Sequence, residues 1–419
     1  MYKTKRTFLL AATASAVALA FAGPAAAKVE GDKIILGSAI SITGKYSQEG
    51  KNARDGYDLA VKMINDKGGV KVGDKSYKLE VKYYDDESTP ARTAQLLERL
   101  ISQDGVKYVL GPYSSGTTKA AAPVTEKYKI PMVEAEGASR SLFTQGYRYL
   151  FAVLSTSEQY LASAIALAAE TAKKQGKKPS DVRIAMAFEN DPFSLDVRAG
   201  VVDDAKKYGM KIVIDDKLPR DLSDMSATLT KVKALKPDLL VVSGHTKGAS
   251  TAGRQINEMG ISVPMIAMTH CESADIIGKF GAGAEGILCP TQWAETLSYK
   301  DSLFGTAKQY NDLFLKTYTG YDTVPYQSAQ ASAAVQVWAD AFTRAQSFDT
   351  EKLRDTIAAT NLDTFYGKVK FSPAGNNIAK PMVLRQVQNG GYHVVAPSEW
   401  ASHKLVFPRN AGGAKQASK

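Results

Sequence analysis

The sequence predicts an α/β protein of two Rossmann-like lobes with a ligand cleft between them. Three observations lead there. Short apolar runs alternate with longer amphipathic ones, the order that makes a parallel sheet covered by helices on both faces. The alternation then starts afresh midway along the chain. The 419 residues also exceed what one core organises, so two domains are expected.

The first lobe reads in order. Ile34 to Gly37 is a strand. Gly50 to Lys67 carries Leu59, Ala60, Met63 and Ile64 at helical spacing. Tyr77 to Tyr84 alternates as a strand does. Pro90 to Gln103 is a helix, capped by Ser88 and Thr89 with proline at its start. Tyr108 to Gly111 is a strand, Thr117 to Lys129 a helix, and Ile130 to Val133 another strand.

The second series resembles the first. Ser157 to Gln175 reads as one long helix, and Arg183 to Ala187 as a strand. Phe193 to Tyr208 is a helix and Lys211 to Asp215 a strand. Met225 to Leu235 is a helix, Asp238 to Ser243 a strand, Ala249 to Met259 a helix, and Pro264 to Met268 a strand. No low-complexity linker separates the two series. The end of the chain after Pro408 is small and polar, so residues 408–419 are expected to be a disordered tail.

The first residues read as a secretory leader. Lys3, Lys5 and Arg6 precede an apolar run from Phe8 to Phe21, and Ala25-Ala26-Ala27 offers a cleavage site. That run is below the roughly 20 residues needed to span a bilayer. No cysteine stands at the cleavage point, so a lipid anchor is not expected. The expected product begins at Lys28, is periplasmic, and keeps no membrane span.

Composition is that of a globular protein, 44% hydrophobic and 23% charged. The formal charge is +10, and removing the three basic leader residues leaves +7. Apart from Lys173-Lys174, Lys177-Lys178 and Lys206-Lys207, the basic residues do not cluster, and these pairs read as solvated helix ends. Export removes most nucleic-acid partners, so none is expected, and the charge does little to select a function. Two cysteines, Cys271 and Cys289, could pair in an oxidising compartment. Cys289 lies in an apolar run, where a buried free thiol is the expected reading.

Ligands of open parallel sheets bind at the carboxyl ends of the strands, and two lobes set two such edges face to face. The segments just after strands are therefore the candidate site: 43–48 with Tyr46, 112–118, 134–141, 189–193, 244–247 and 269–275. Gly111 to Thr118 (GPYSSGTT) joins a strand to a helix. Ser114 and Ser115 with free backbone N–H groups there suit a carboxylate, although plain helix capping would use the same residues. Gly137-Ala138-Ser139 offers a second, similar set. Across the cleft, Phe193 could cover a ligand or plug a core. His245 and His270 each follow a strand directly. Glu272 is the nearest carboxylate and could meet an ammonium, or be a helix N-terminal acid.

Catalytic patterns are missing. The sequence has no G-x-S-x-G, Walker loop, H-E-x-x-H or C-x-x-C. Asp85-Asp86-Glu87 before Ser88-Thr89-Pro90 reads as capping acids. Neither an enzyme nor a cofactor or metal is expected.

Three stretches together, IILGSAISITGKYSQEGKNARDGYDLAVKMINDKGGV, YYDDESTPARTAQLLERLI and VKYVLGPYSSGTTKAAAPVTEKYKIPMV, with FGAGAEGIL near Gly286, carry a resemblance. The chain resembles the branched-chain amino-acid (Leu/Ile/Val-type) binding proteins of ABC importers, type I periplasmic binding proteins, over essentially its whole mature length. The resemblance implies two discontinuous lobes joined by three crossings: 28–153 with 288–367, and 154–287 with 368–407. It implies a monomer that delivers a small carboxylate solute to a membrane permease. It implies that Ser115 and Gly137-Ala138-Ser139 hold the carboxylate, that Phe193 replaces a stacking tyrosine, and that Glu272 lies near the ammonium partner. Phenylalanine in that place and two histidines, His245 and His270, depart from the family pattern. An aromatic acid of the hydroxybenzoate or hydroxycinnamate type is therefore an alternative to an apolar amino acid. A periplasmic sensor would have the same fold.

Overall fold

The computed structural model describes residues 29–409. The expected leader and the last ten residues lie outside the described residues. Arg409 belongs to the body: its N–H donates to the Pro264 carbonyl at 2.9 Å and its side chain is buried. Pro408 and Arg409 therefore do not belong to the expected disordered tail.

The first series gives β1 (Val29–Glu30), β2 (Lys33–Ile40), α1 (Ser47–Asp66), β3 (Val70–Val72), β4 (Lys75–Asp85), α2 (Pro90–Ser102), β5 (Val109–Leu110), α3 (Ser115–Tyr128), β6 (Met132–Glu134) and β7 (Leu150–Ala152). The sheet runs β3-β4-β2-β5-β6-β7, with β1 antiparallel on β2. Strands β4, β2, β5, β6 and β7 are parallel to their neighbours in that order. Ile34 to Ile40 is buried without a break, as expected of a strand covered on both faces.

The second series gives α4 (Ala162–Lys174), β8 (Arg183–Glu189), α5 (Pro192–Tyr208), β9 (Lys211–Leu218), α6 (Ser226–Leu235), β10 (Leu239–Ser243), α7 (Thr246–Glu258), β11 (Met265–Met268), α8 (Ile276–Phe280) and β12 (Leu288–Thr291). After it come β13 (Lys300–Asp301), β14 (Gly305–Thr306), α9 (Ala307–Thr317), α10 (Tyr326–Ala345), α11 (Thr350–Ala358), β15 (Asn361–Thr364), β16 (Gly367–Lys370), β17 (Val383–Gln388) and β18 (Gly391–Ala396). The second sheet runs β18-β17-β12-β11-β10-β8-β9. Its β9, β8, β10, β11 and β12 are parallel, and β17 and β18 add antiparallel. Two sheets of mostly parallel strands make the α/β two-lobe architecture.

Three expectations shift. The first lobe is expected to resume at residue 288, but Leu288–Thr291 is a strand of the second sheet. The second lobe is expected to resume at 368, but Gly367–Lys370 pairs with β15, and Asn376 still bridges Ala152 of the first sheet. The expected helix from Ser157 begins only at Ala162. Ser157–Gln159 is a separate 3-10 turn. Its Ser157 N–H donates to Ala138 and its hydroxyl to Asp196, which ties the turn to the cleft and breaks the helical run.

The chain crosses between the sheets three times, and one polar cluster joins the crossings. The Ser155 N–H donates to Gln292 Oε1 at 3.1 Å, Gln292 Nε2 donates back to the Ser155 carbonyl at 2.8 Å, and the Ser155 hydroxyl donates to the Lys380 carbonyl at 2.6 Å. The Lys380 ammonium is buried, bonded to the Gln292 carbonyl and 4.3 Å over the Tyr366 ring. Helix α10 packs on α1 at backbone distance. A Cβ at Gly56 would stand 2.2 Å from the Ser328 carbonyl, so no larger residue fits.

Candidate interlobe binding site

Both sheets change winding direction beside their first strand, β4-β2-β5 in one and β9-β8-β10 in the other. Loops at the carboxyl ends of strands around such switch points form binding crevices. Here the two crevices face each other. Ser115, Ala138, Phe193, His245 and His270 line one buried cavity, together with Tyr113, Glu136, Tyr160, Tyr326 and Gln330. In this closed arrangement the cavity leaves about 10 Å³, room for about one water.

The first-lobe wall grows from the turn after β5. Ser114 takes φ +108° and caps α3, its hydroxyl oxygen accepting from the Thr117 N–H at 3.4 Å. That places Ser115 on the first turn with its side chain in the cavity. The Ser115 oxygen accepts from the Ser139 N–H at 3.0 Å, which leaves its own O–H to donate. Gly137 serves the loop. Its N–H donates to Glu134 Oε1 at 2.6 Å, and a Cβ on it would meet Thr118 Oγ1 at 2.5 Å. Its N–H is therefore not a ligand donor in this arrangement. The Ser139 hydroxyl bonds Ser141 at 2.9 Å. Asp85 and Asp86 brace the β2 and α2 ends, Asp86 accepting from the Ser41 and Thr93 hydroxyls at 2.8 Å each; no side chain caps the α2 N-terminus at Thr89, so the expected cap does not form.

The second-lobe wall is built by helix starts. Asp191 caps α5 through the Ser194 N–H at 3.1 Å, and Pro192 follows, so Phe193 enters the cavity from the first turn. His245 is the residue before α7. His270 follows β11 with φ +61°, a left-handed conformation uncommon outside glycine. The residues after it hold that turn. Cys271 and Cys289 form a disulfide with Cα atoms 5.8 Å apart. The buried free thiol is thus overturned: Cys271 leaves β11 beside Cys289 on the neighbouring strand β12, within disulfide reach. Glu272 also changes role. Its carboxylate pairs with Arg385 at 2.7 Å and accepts from Thr291 at 3.2 Å, all inside the second lobe, and it does not line the cavity.

One hydroxyl bridges both histidines of the facing wall. Tyr113 Oη, from the first lobe, lies 2.9 Å from His245 Nδ1 and 3.0 Å from His270 Nε2. Tyr326 reaches His270 Nε2 at 3.4 Å. His245 Nε2 stands 3.5 Å from Asp191. Tyr46 is buried edge-on to Tyr113 and His245, behind the cavity. Glu49 of α1 accepts from the Thr246 N–H at 2.9 Å, so a first-lobe carboxylate caps a second-lobe helix.

The electrostatics follow from burial. Desolvation opposes the charged form of His245, but Asp191, Glu189 and Glu49 outweigh it and raise its pKa. His270 is held down to about 3 by burial and by His245, so it stays neutral. Burial lifts Glu189 to about 7. Burial acts against Asp191 ionisation, yet His245 and the Ser194 N–H leave its pKa lowered. A consistent proton arrangement runs from Asp191 through imidazolium His245 and the Tyr113 hydroxyl to an accepting His270.

Glu49, His245 and His270 bring one donor atom each within 4.8 Å of one another, as do Glu189, Asp191 and His245. A cation held by the first group would compete with Tyr113 for both imidazoles.

Sequence reasoning reached Ser115, Ala138, Phe193, His245 and His270. It missed Tyr113, Glu136, Glu49, Tyr160, Tyr326 and Gln330. Tyr113 and Glu136 stood inside the post-strand segments. Tyr326 and Gln330 come from α10, which no strand-end rule points to.

The sequence profile of the periplasmic binding protein family matches residues 33–392. The chain belongs to that family. A Leu/Ile/Val-binding protein homolog of Brucella abortus is 24% identical over 386 residues, covering 89% of this chain and 93% of the relative. The leucine binding protein LivK of Thermotoga maritima superposes with a TM-score of 0.74 at 22% identity, covering 87% of this chain and 97% of that one. A solute binding protein of an ABC transporter from Rhodopseudomonas palustris, in complex with 3,4-dihydroxybenzoic acid, superposes with a TM-score of 0.75 at 18% identity, covering 92% and 100%. Among the described residues no helix is long and apolar enough to cross a membrane.

Proposed function

We propose that this family member is the periplasmic capture subunit of an ABC importer, and that it takes a small carboxylate solute of the branched-chain or apolar amino-acid class. The cavity between the lobes carries the reading: polar groups from both lobes converge on it, and it opens only if the lobes part. The solute docks on the first lobe with its carboxylate at the start of α3 and the Ser115 O–H. The second lobe then closes, Phe193 covering the apolar body while the Tyr113 hydroxyl meets the histidine pair. The closed form is what the permease recognises. Ligand shifts the open–closed equilibrium by its differential affinity for the closed state.

One observation favours a second solute class. Tyr113, Tyr160, Phe193 and Tyr326 put four rings around the cavity with two imidazoles, and a relative holds an aromatic acid. A thermal-shift screen of the mature protein against apolar amino acids and hydroxybenzoates separates the two. At 100 times its dissociation constant a ligand adds about 2.7 kcal/mol, a shift of several degrees. No shift with either class contradicts the proposal.

A further inference from the structure

One buried carboxylate in the cavity wall has an oxygen that no group of the fold engages. Glu136 follows β6 on the loop that also supplies Ala138, and it is 6% exposed. Its Oε2 accepts from Gln330 Nε2 at 2.9 Å. Its Oε1 is buried, belongs to a cavity-lining side chain, and has no hydrogen-bond partner among the described residues. A buried acceptor left unpaired is costly, so such an atom marks a place where a donor is received.

The surroundings say which donor. Glu134, two residues earlier at the end of β6, and Glu49 add negative charge at Glu136. The cavity lining holds no lysine or arginine. His245, the one wall group that favours its cationic form, is already committed to Asp191 and Tyr113. Tyr113, Tyr160 and Tyr326 supply ring surface, which attracts cations. Glu272, the acid that the family pattern brings nearest this duty, is locked against Arg385.

We propose that Glu136 receives a cationic nitrogen, a primary ammonium, on the captured solute. The ligand is then an amine-bearing carboxylate, gripped at its acid end by Ser115 and at its amine end by Glu136 of the same lobe. This rests on the capture reading above and narrows its solute class. Burial and the neighbouring acids push Glu136 well above the usual carboxylate range when it has no cation beside it, so an arriving ammonium is what favours its ionised form.

The test is isothermal titration of the wild-type mature protein with matched pairs: leucine against 4-methylpentanoate, and phenylalanine against 3-phenylpropanoate. The amine-bearing member of at least one pair should bind about 10- to 100-fold more tightly, the range of a charged hydrogen bond. Glu136→Gln should remove most of that ratio while leaving the amine-free acid within a few-fold. An amine-free acid that binds as tightly as its partner overturns the proposal, as does a folded Glu136→Gln protein that keeps the full ratio. If Glu136→Gln does not fold, the wild-type ratio decides. Binding of benzoate or hydroxybenzoates with none of the amines overturns the ammonium site and leaves the capture reading standing. Binding of none of these probes overturns both.

Discussion

The two walls of the cleft are built by different means. The first-lobe wall is held from within its own loops: Ser114 to Thr117 and Glu134 to the Gly137 N–H are local bonds, and Ser139 to Ser115 ties one cavity loop to the other. The second-lobe wall is held from behind. His270 sits in a left-handed turn, and the next two residues anchor it, Cys271 by a disulfide to β12 and Glu272 by an ion pair to β17. The residues next to a binding group can therefore be its foundation rather than its partners. The same residue type divides by lobe: each has one unpaired oxygen, but Glu136 lines the cavity with no cation beside it, whereas Glu272 lies behind the wall, paired with Arg385.

The sharpest way to break that contrast is to remove the foundation. Arg385→Ala leaves the Glu272 carboxylate buried and uncompensated, a loss of about 3–5 kcal/mol. Urea denaturation should show this loss; a change within 1 kcal/mol would mean the second wall does not lean on the pair. Opening the disulfide with Cys271→Ser/Cys289→Ser should cost about 3 kcal/mol, since the separation is 18 residues. It should loosen the His270 turn more than any first-lobe loop, as hydrogen exchange of residues 268–275 against 112–118 would show.

The hinge between the walls sharpens the comparison through pH. Burial lowers Lys380 to about 7 in the folded protein, against 10.5 for the free side chain. The unfolded chain then binds more protons between those values, so stability rises as pH increases from about 7 towards 10.5. Two pH units should bring about 1–3 kcal/mol relative to Lys380→Met, measured as the difference in their denaturation curves. Parallel pH dependence in the two proteins would contradict the assignment. Tyr113→Phe should act on closure alone. It strips both imidazoles of their shared partner and should weaken ligand binding by about 1–3 kcal/mol with little effect on melting. Ser115→Ala is the smallest change expected, about 1 kcal/mol or several-fold in affinity, with the fold intact. An unchanged affinity would remove Ser115 from the grip.

The same contrast explains what the sequence disclosed. The α/β order was legible because Ile34–Ile40 and Leu239–Ser243 are mostly apolar strands, buried throughout, and the helices between them carry helical spacing. Strand-end loops were legible as site segments, so Ser115, Ala138, Phe193, His245 and His270 could be named. Tyr326 and Gln330 could not, because they reach the cavity from a helix far along the chain. Nor could the fate of Glu272, since its partner Arg385 lies 113 residues away on a strand that closes the sheet in the opposite direction. The long helix expected from Ser157 failed for a related reason: Asp196, distant in sequence, captures the Ser157 hydroxyl.

The most direct test of the cleft as the capture site is small-angle X-ray scattering of residues 28–419 with and without a solute from the thermal-shift screen. Closure over a ligand predicts a smaller radius of gyration in the saturated protein, with Tyr113→Phe shifting less at equal occupancy. An unchanged radius in a protein shown by titration to be saturated, and equally compact before and after binding, would contradict capture by closure between the lobes.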